Sequence, residues 1–226
     1  MELSFLLQKK WGTRACKRAL DMLFSAALLL LLSPVFAAIA LCLACQSDMR
    51  VIAKQRCAGK NGRLFDRYYF KVLAQDFDAA HYPSVPQRFP ARDGLCRFLQ
   101  KHRLDRLPCL YNILRGDMSF VGPRAESRAY AELYTPEQCA VLLVRPGLLD
   151  MMDLVYPNTS RYLAPGEHAR RRYMMELLPL RAQIGSDYIA HLSLGLDAKL
   201  GLAALLRLID CPLHLRLPVT LNTNAA

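Results

Sequence analysis

The sequence predicts a mostly helical α+β fold: an N-terminal membrane helix that re-enters its own leaflet, then a small cytoplasmic domain with a short β-hairpin and interfacial amphipathic helices. Three observations predict it. Residues 22–45 carry no charge, yet Ser33-Pro34 interrupts them near the middle. A stretch punctuated by Gly59 and Gly62 lies between two β-prone runs. Beyond Leu104, leucines alternate with polar residues around Pro108, and residues 194–208 are densely apolar with few charges.

The expected boundaries are 1–18 for a basic flank, 19–46 for the membrane hairpin, 47–210 for the cytoplasmic domain and 211–226 for a tail. At 226 residues there is room for one ordinary domain and an anchor. A net charge of +11 and a pI of about 9.5 call for anionic partners or a solvated basic surface. Anionic membrane lipid fits this charge. Nucleic acid is not expected, because no aromatic-spaced RNA motif, zinc-finger spacing or helix-turn-helix pattern accompanies it. The 8 cysteines are scattered, and Cys42 and Cys45 sit inside the apolar run, so they read as small apolar fillers in a reducing compartment.

Element by element, the apolar run comes first. About two dozen residues at 1.5 Å each could cross a bilayer. Pro34 removes a backbone donor, so the helix should break there. Lys9, Lys10, Arg14, Lys17 and Arg18 precede the run, while Arg50, Lys54, Arg56, Lys60 and Arg63 follow it. Both flanks therefore favour the cytoplasm. A helix that enters one leaflet and returns satisfies both, whereas a straight span strands one cluster. Asp21, near the interface, is expected to pair with an arginine such as Arg18.

Next, Gln55 to Lys71 reads as strand, tight turn and strand. Residues 74–92, with Pro83, Pro86 and Pro90, read as a loop, followed by an apolar helix near Leu95 to Leu99. A short helix should begin at Pro108 and end at Gly116, with Asp105 in the turn before it. There Asp105 could cap the helix, or stand ionised where amides also suit a phosphoryl group. Arg124, after Val121-Gly122-Pro123, and Arg145, before Pro146-Gly147, are arginines presented at turns, suited to a surface role or to phosphate. Residues 126–138 read as helix, Thr135 cap and second helix. Arg170, Arg171 and Arg172 read as a solvated or lipid-facing edge.

Leu104-Asp105-Arg106-Leu107-Pro108, continuing through Asn112 to Gly116-Asp117-Met118-Ser119 and Val121-Gly122-Pro123-Arg124, resembles the signature of the bacterial sugar transferases, the monotopic polyprenyl-phosphate phosphoglycosyl transferases. Lys17-Arg18 with Asp21, the apolar run and Ser33-Pro34 look like that family's re-entrant membrane element. Gln55, Arg56, Gly59, Gly62 and Phe65, followed by Tyr68-Tyr69-Phe70-Lys71, are similar to its hairpin. The resemblance covers about residues 14–210. It implies an enzyme of the bacterial inner membrane, its catalytic domain facing the cytoplasm, that moves a phosphosugar from a UDP-sugar to polyprenyl phosphate through an aspartyl intermediate. Such a reaction begins an exopolysaccharide, capsule, O-antigen or glycoprotein glycan. By position, Asp105 is the implied nucleophile. Arg124 and Arg145 are implied phosphate clamps, with Gln55, Arg56, Lys71 and Arg106 as further substrate-binding residues.

The family also implies Mg²⁺, bound with help from the Glu that usually follows the nucleophile. Here that position is Arg106, and a guanidinium cannot ligate a cation. Two readings follow. In one, a divergent transferase uses Arg106 itself against phosphate charge, or recruits metal through Asp117 or Glu126. In the other, the chain is a non-catalytic membrane subunit serving a glycan-assembly protein or an intact homologue.

Overall fold

The computed structural model describes residues 2–45, 51–72, 93–155 and 171–208. Two helices open the chain, α1 (Glu2–Lys9) and α2 (Trp11–Leu31). Along α2, Arg14, Lys17, Arg18, Asp21, Ser25, Leu28 and Leu29 recur at steps of three and four, so they share one face, which is turned inward. The opposite side exposes Leu20, Leu23, Phe24, Leu30 and Leu31. The charged half of the inner face holds the rest of the molecule. Lys17 Nζ lies 2.6 Å from Asp197, and Arg18 donates to the carbonyls of Ile113 (2.6 Å) and Leu114 (2.9 Å). Buried Asp21 accepts from the Ser119 hydroxyl at 2.7 Å and the Phe120 N–H at 3.3 Å. The expected Asp21–Arg18 pairing is thus replaced, because carbonyls at a helix C-terminus attract the guanidinium and leave Asp21 to the hydroxyl.

The break falls at Leu32, and α3 (Ser33–Ala44) continues with Pro34 in its first turn, bent 60° from α2. A residue other than proline at 34 would donate to the Leu30 carbonyl. The Ser33 hydroxyl donates there instead, at 2.8 Å, which explains the serine beside the proline. Among the described residues no single helix is long and apolar enough to cross a membrane; α2 and α3 pass that test of length and composition only together.

The expected hairpin is present. Strands β1 (Ile52–Ala58) and β2 (Leu64–Phe70) are antiparallel, and the turn between them uses Asn61 (φ 56°) and Gly62 (φ 73°). Of the loop expected over residues 74–92, every residue lies outside the described ones. Helix α4 (Gly94–Lys101) follows, with Asp93 accepting from the Cys96 N–H at 2.8 Å.

After a 3₁₀ turn at Leu104–Arg106 comes α5 (Cys109–Arg115), started by Pro108 and ended by Gly116 at φ 102°. Fully buried Asn112 ties α5 to the hairpin: its carbonyl oxygen accepts from the Tyr68 N–H (3.0 Å) and its amide donates to the Asp66 carbonyl (2.8 Å). A second sheet, which the sequence did not suggest, pairs β3 (Ser119–Val121) in parallel with β4 (Gly147–Leu149). It is hard to read because each strand has three residues and the pairing depends on contact between two glycines: a Cβ on Gly147 would overlap the Gly122 backbone.

Beyond it stand α6 (Arg128–Ala131), a 3₁₀ turn (Gln138–Leu143) and α7 (Met151–Val155). The Thr135 cap forms reciprocally with Gln138, at 3.3 and 3.1 Å, although the element it opens is 3₁₀ and not α-helical. A π-turn (Tyr173–Leu177) leads into α8 (Leu178–Ala190), and α9 (Leu194–Leu208) closes the described chain. Leu196, Leu200 and Ala203 of α9 are buried while Leu202 and Leu205 face outward. One core gathers α8, α9 and Met151 and Met152 under Tyr130 and Tyr173; a second joins α5 and the hairpin to Leu28, Leu29 and Leu32 of the N-terminal helices. Among the described residues the cysteines are free; Cys57, Cys96 and Cys109 fill the interior, and Cys16, Cys42, Cys45 and Cys139 are exposed.

Candidate active site

Asp105 sits in the turn between Arg103, held at φ 59°, and the proline that starts α5. The left-handed Arg103 reverses the chain and aims the carboxylate inward. It is buried, and its Oδ1 has no hydrogen-bond partner among the described residues. It therefore does not act as a conventional helix cap through that atom. Burial pushes the Asp105 carboxyl up, against the opposing pull of Arg106, Arg103 and Arg67. Desolvation thus outweighs the nearby positive charge in setting the direction of the shift.

The cleft around it is bordered by Arg67, Tyr69, Arg106, Arg124, Leu148 and Asp150, among others. Three guanidinium groups thus face the space beside a buried carboxylate. Behind them Asp153 Oδ2 gathers Arg124 NH1 (3.3 Å), Arg103 NH1 (3.5 Å) and Arg106 NH1 (3.8 Å). Those guanidiniums hold the Asp153 carboxyl well below the usual range despite its burial. Burial and the charges of Arg103 and Arg124 push Arg106 down to about 9, which leaves it charged at neutral pH. Asp150 is buried, and burial together with Asp153 raises it to about 6.

The remaining residues singled out in the sequence take other positions. Gln55 is buried and its Oε1 accepts from Arg67 at 2.7 Å, so it orients a cation of the cleft without bordering it. Arg56 points to the outer face of the hairpin and pairs with Asp66 at 2.9 Å. Lys71 follows β2, its backbone N–H bound to the Val51 carbonyl, and does not border the cleft. Arg145 donates through Nε to the Gly116 carbonyl at 2.8 Å and opens on a different pocket, beside Arg14, Arg18 and Lys60. Asp117 pairs with Arg115 at 3.5 Å, and Glu126 is buried against Arg181 at 2.9 Å. Ser33 and Pro34 form the break between the helices.

Arg67, Asp150, Asp153 and Arg181 were not anticipated. A signal for Arg67 existed, since it is the cross-strand partner of Gln55; Asp153 had none, because its partners come from segments 29 to 50 residues away. The donor set fits a divalent ion poorly. Among the described residues no three Asp, Glu, His or Cys side chains converge as a ligand group, and the acids around this cleft face guanidinium groups.

The site thus sets a buried carboxylate opposite arginines, on a domain tied to an apolar bent helix pair. The family model for bacterial sugar transferases matches residues 12–210, and the chain belongs to that family. It is 32% identical over 194 residues to the undecaprenyl-phosphate glucose phosphotransferase of Komagataeibacter xylinus, covering 81% of this chain and 34% of that relative. With the UDP-glucose:undecaprenyl-phosphate glucose-1-phosphate transferase of Escherichia coli K12 it shares 34% over 190 residues, covering 83% of this chain and 39% of the relative. The exopolysaccharide production protein PSS of Rhizobium leguminosarum bv. phaseoli is 28% identical over 193 residues, covering 81% of this chain and 90% of the relative. The chain therefore spans well under half of the first two relatives and most of the third.

Proposed function

We propose that this chain transfers a phosphosugar from a UDP-sugar to undecaprenyl or another polyprenyl phosphate, at the start of a polysaccharide or glycan. An Asp105 carboxylate oxygen attacks the sugar-linked phosphorus, the P–O bond to the nucleotide breaks, and UMP leaves with that electron pair. An oxygen of polyprenyl phosphate then attacks the same phosphorus, forming the lipid diphosphosugar and freeing the carboxylate. Arg67, Arg106 and Arg124 offset the charge of the diphosphate and of the departing UMP, work that needs fixed cations in a water-poor cleft. Arg106 brings positive charge to the place where the family Glu would help hold Mg²⁺. Asp153 keeps Arg106 and Arg124 in place.

The observation that carries this reading is the buried Oδ1 of Asp105, with no hydrogen-bond partner among the described residues, beside those guanidiniums. A buried carboxylate oxygen with no hydrogen-bond partner among the described residues is costly to keep, which favours a functional reason for it. The test is UMP release from a panel of UDP-sugars with polyprenyl phosphate in nanodiscs, beside Asp105→Asn. Release that disappears in the variant supports the reading, and none from folded parent protein sinks it.

The re-entrant membrane reading belongs to the same proposal, with the domain on the cytoplasmic face of the inner membrane. Lys17, Arg18 and Asp21, before the apolar run, contact the same domain that the chain joins at β1 after it. A straight crossing would part those ends by about 30 Å of hydrocarbon. A non-catalytic binding subunit, serving an assembly protein or an intact homologue, is favoured by one feature: Asp153 already neutralises part of the arginine charge a substrate would need.

A further inference from the structure

A second pocket lies on the other side of the β3–β4 pair. Met118 and Leu148 border the Asp105 cleft, whereas Ser119, Val121 and Arg145 border this one, so the short sheet stands between them. Its charged lining is Arg14, Lys17, Arg18, Lys60 and Arg145 against the single carboxylate of Asp21. Little neutralises these cations. Lys17 has Asp197. Arg18, Arg14 and Arg145 donate to backbone carbonyls, of Ile113 and Leu114, of Leu7 and of Gly116. A carbonyl satisfies an N–H and leaves the charge in place. Beyond its burial, Lys60 is pushed down by Arg14 and Arg145, which places the three positive groups within reach of one another.

We propose that this pocket binds a phosphate-class anion apart from the reaction centre. A tetrahedral oxyanion matches converging guanidinium and ammonium donors and relieves their mutual repulsion. The β3–β4 wall keeps such an anion from the Asp105 carboxylate, so it anchors the protein and does not react. On the membrane reading above, the anion is the phosphodiester headgroup of an acidic lipid. Arg14, Lys17 and Arg18 lie on α2 directly before its apolar residues, and exposed Trp11 marks the same end of the helix, as interfacial aromatics do. The alternative source of the same chemistry is soluble phosphate.

The test uses the full chain in phosphatidylcholine nanodiscs doped with phosphatidylglycerol, scoring retained phosphatidylglycerol by native mass spectrometry. A parallel arm titrates inorganic phosphate against detergent-purified protein by calorimetry. Lys60→Gln, Arg14→Gln and their double variant are compared with Arg63→Gln, an exposed arginine outside the pocket. Affinity should fall about fivefold for each pocket cation removed and stay unchanged in Arg63→Gln. Loss in the lipid arm identifies a headgroup; loss in the phosphate arm alone identifies a soluble anion. Equal binding by parent, pocket variants and Arg63→Gln in both arms overturns the proposal. Lys60→Gln keeps this decisive if Arg14→Gln fails to fold, since the Lys60 side chain makes no hydrogen bond or ion pair among the described residues. Binding is read without turnover, so failure here is separable from failure of the transferase reading.

Discussion

At the scale of single residues, the proposed chemistry would use a carboxylate whose pKa burial raises. Because burial raises Asp105, the acidic limb of kcat/KM for UMP release should lie above the ordinary carboxylate range. Asp153→Asn leaves Arg103, Arg106 and Arg124 with less opposing charge, so that limb should move to lower pH. A pH–rate series on parent and variant checks both signs. Asp105→Asn should lower turnover by on the order of 10⁴-fold, and Arg106→Gln by about 10²-fold if the guanidinium meets developing phosphate charge. Equal rates for Arg106→Gln and parent would remove Arg106 from the mechanism. Asp150, raised to about 6, binds its proton more tightly folded than unfolded. Its stabilising contribution is complete below about pH 4 and lost as pH rises through about 6. Asp150→Asn should therefore raise the melting temperature at pH 7.5 and bring no gain near pH 4.

At the scale of elements, two junctions hold the cleft open. Asn112 joins α5 to β2 through a pair of buried hydrogen bonds. Asn112→Ala strands the Tyr68 N–H and the Asp66 carbonyl, at about 1–3 kcal/mol each. Denaturant unfolding should register a loss of about 2–5 kcal/mol. The other junction is the approach of Gly122 to Gly147. A methyl group there overlaps backbone, which cannot swing aside as a flexible side chain would. Gly147→Ala should displace Leu148 and Asp150 from the cleft wall and lower activity more than membrane binding, measured on the same preparation.

For the whole molecule, the prediction concerns topology. If α2 and α3 enter and leave one leaflet, Cys16 and a cysteine at Arg63→Cys should both react with an impermeant maleimide from the cytoplasmic side. Labelling from opposite sides would end the re-entrant reading. Pro34→Ala with Ser33→Ala restores the N–H that serves the Leu30 carbonyl and removes the hydroxyl that replaced it. A straighter helix is expected, and a mixed topology in the same labelling assay.

Short-range physics made much of this legible in the sequence: an uncharged run broken by a proline, a hairpin punctuated by Gly59 and Gly62, a helix framed by Pro108 and Gly116, and Asp105 in the turn before it. Those features depend on neighbours within a few residues and on backbone preferences that each residue type carries with it. The family resemblance implied a nucleophile at Asp105 and named Arg106 and Arg124 among its cations, but it missed Arg67 and included Arg56, Lys71 and Arg145, which do not border the cleft. That choice was made by the tertiary structure. Asp153 meets Arg124 and Arg103 across 29 and 50 residues, Arg145 is carried behind the β3–β4 wall, and Gln55 serves Arg67. Charge pairing of this kind depends on distance and burial in space, and neither quantity is written in residue order.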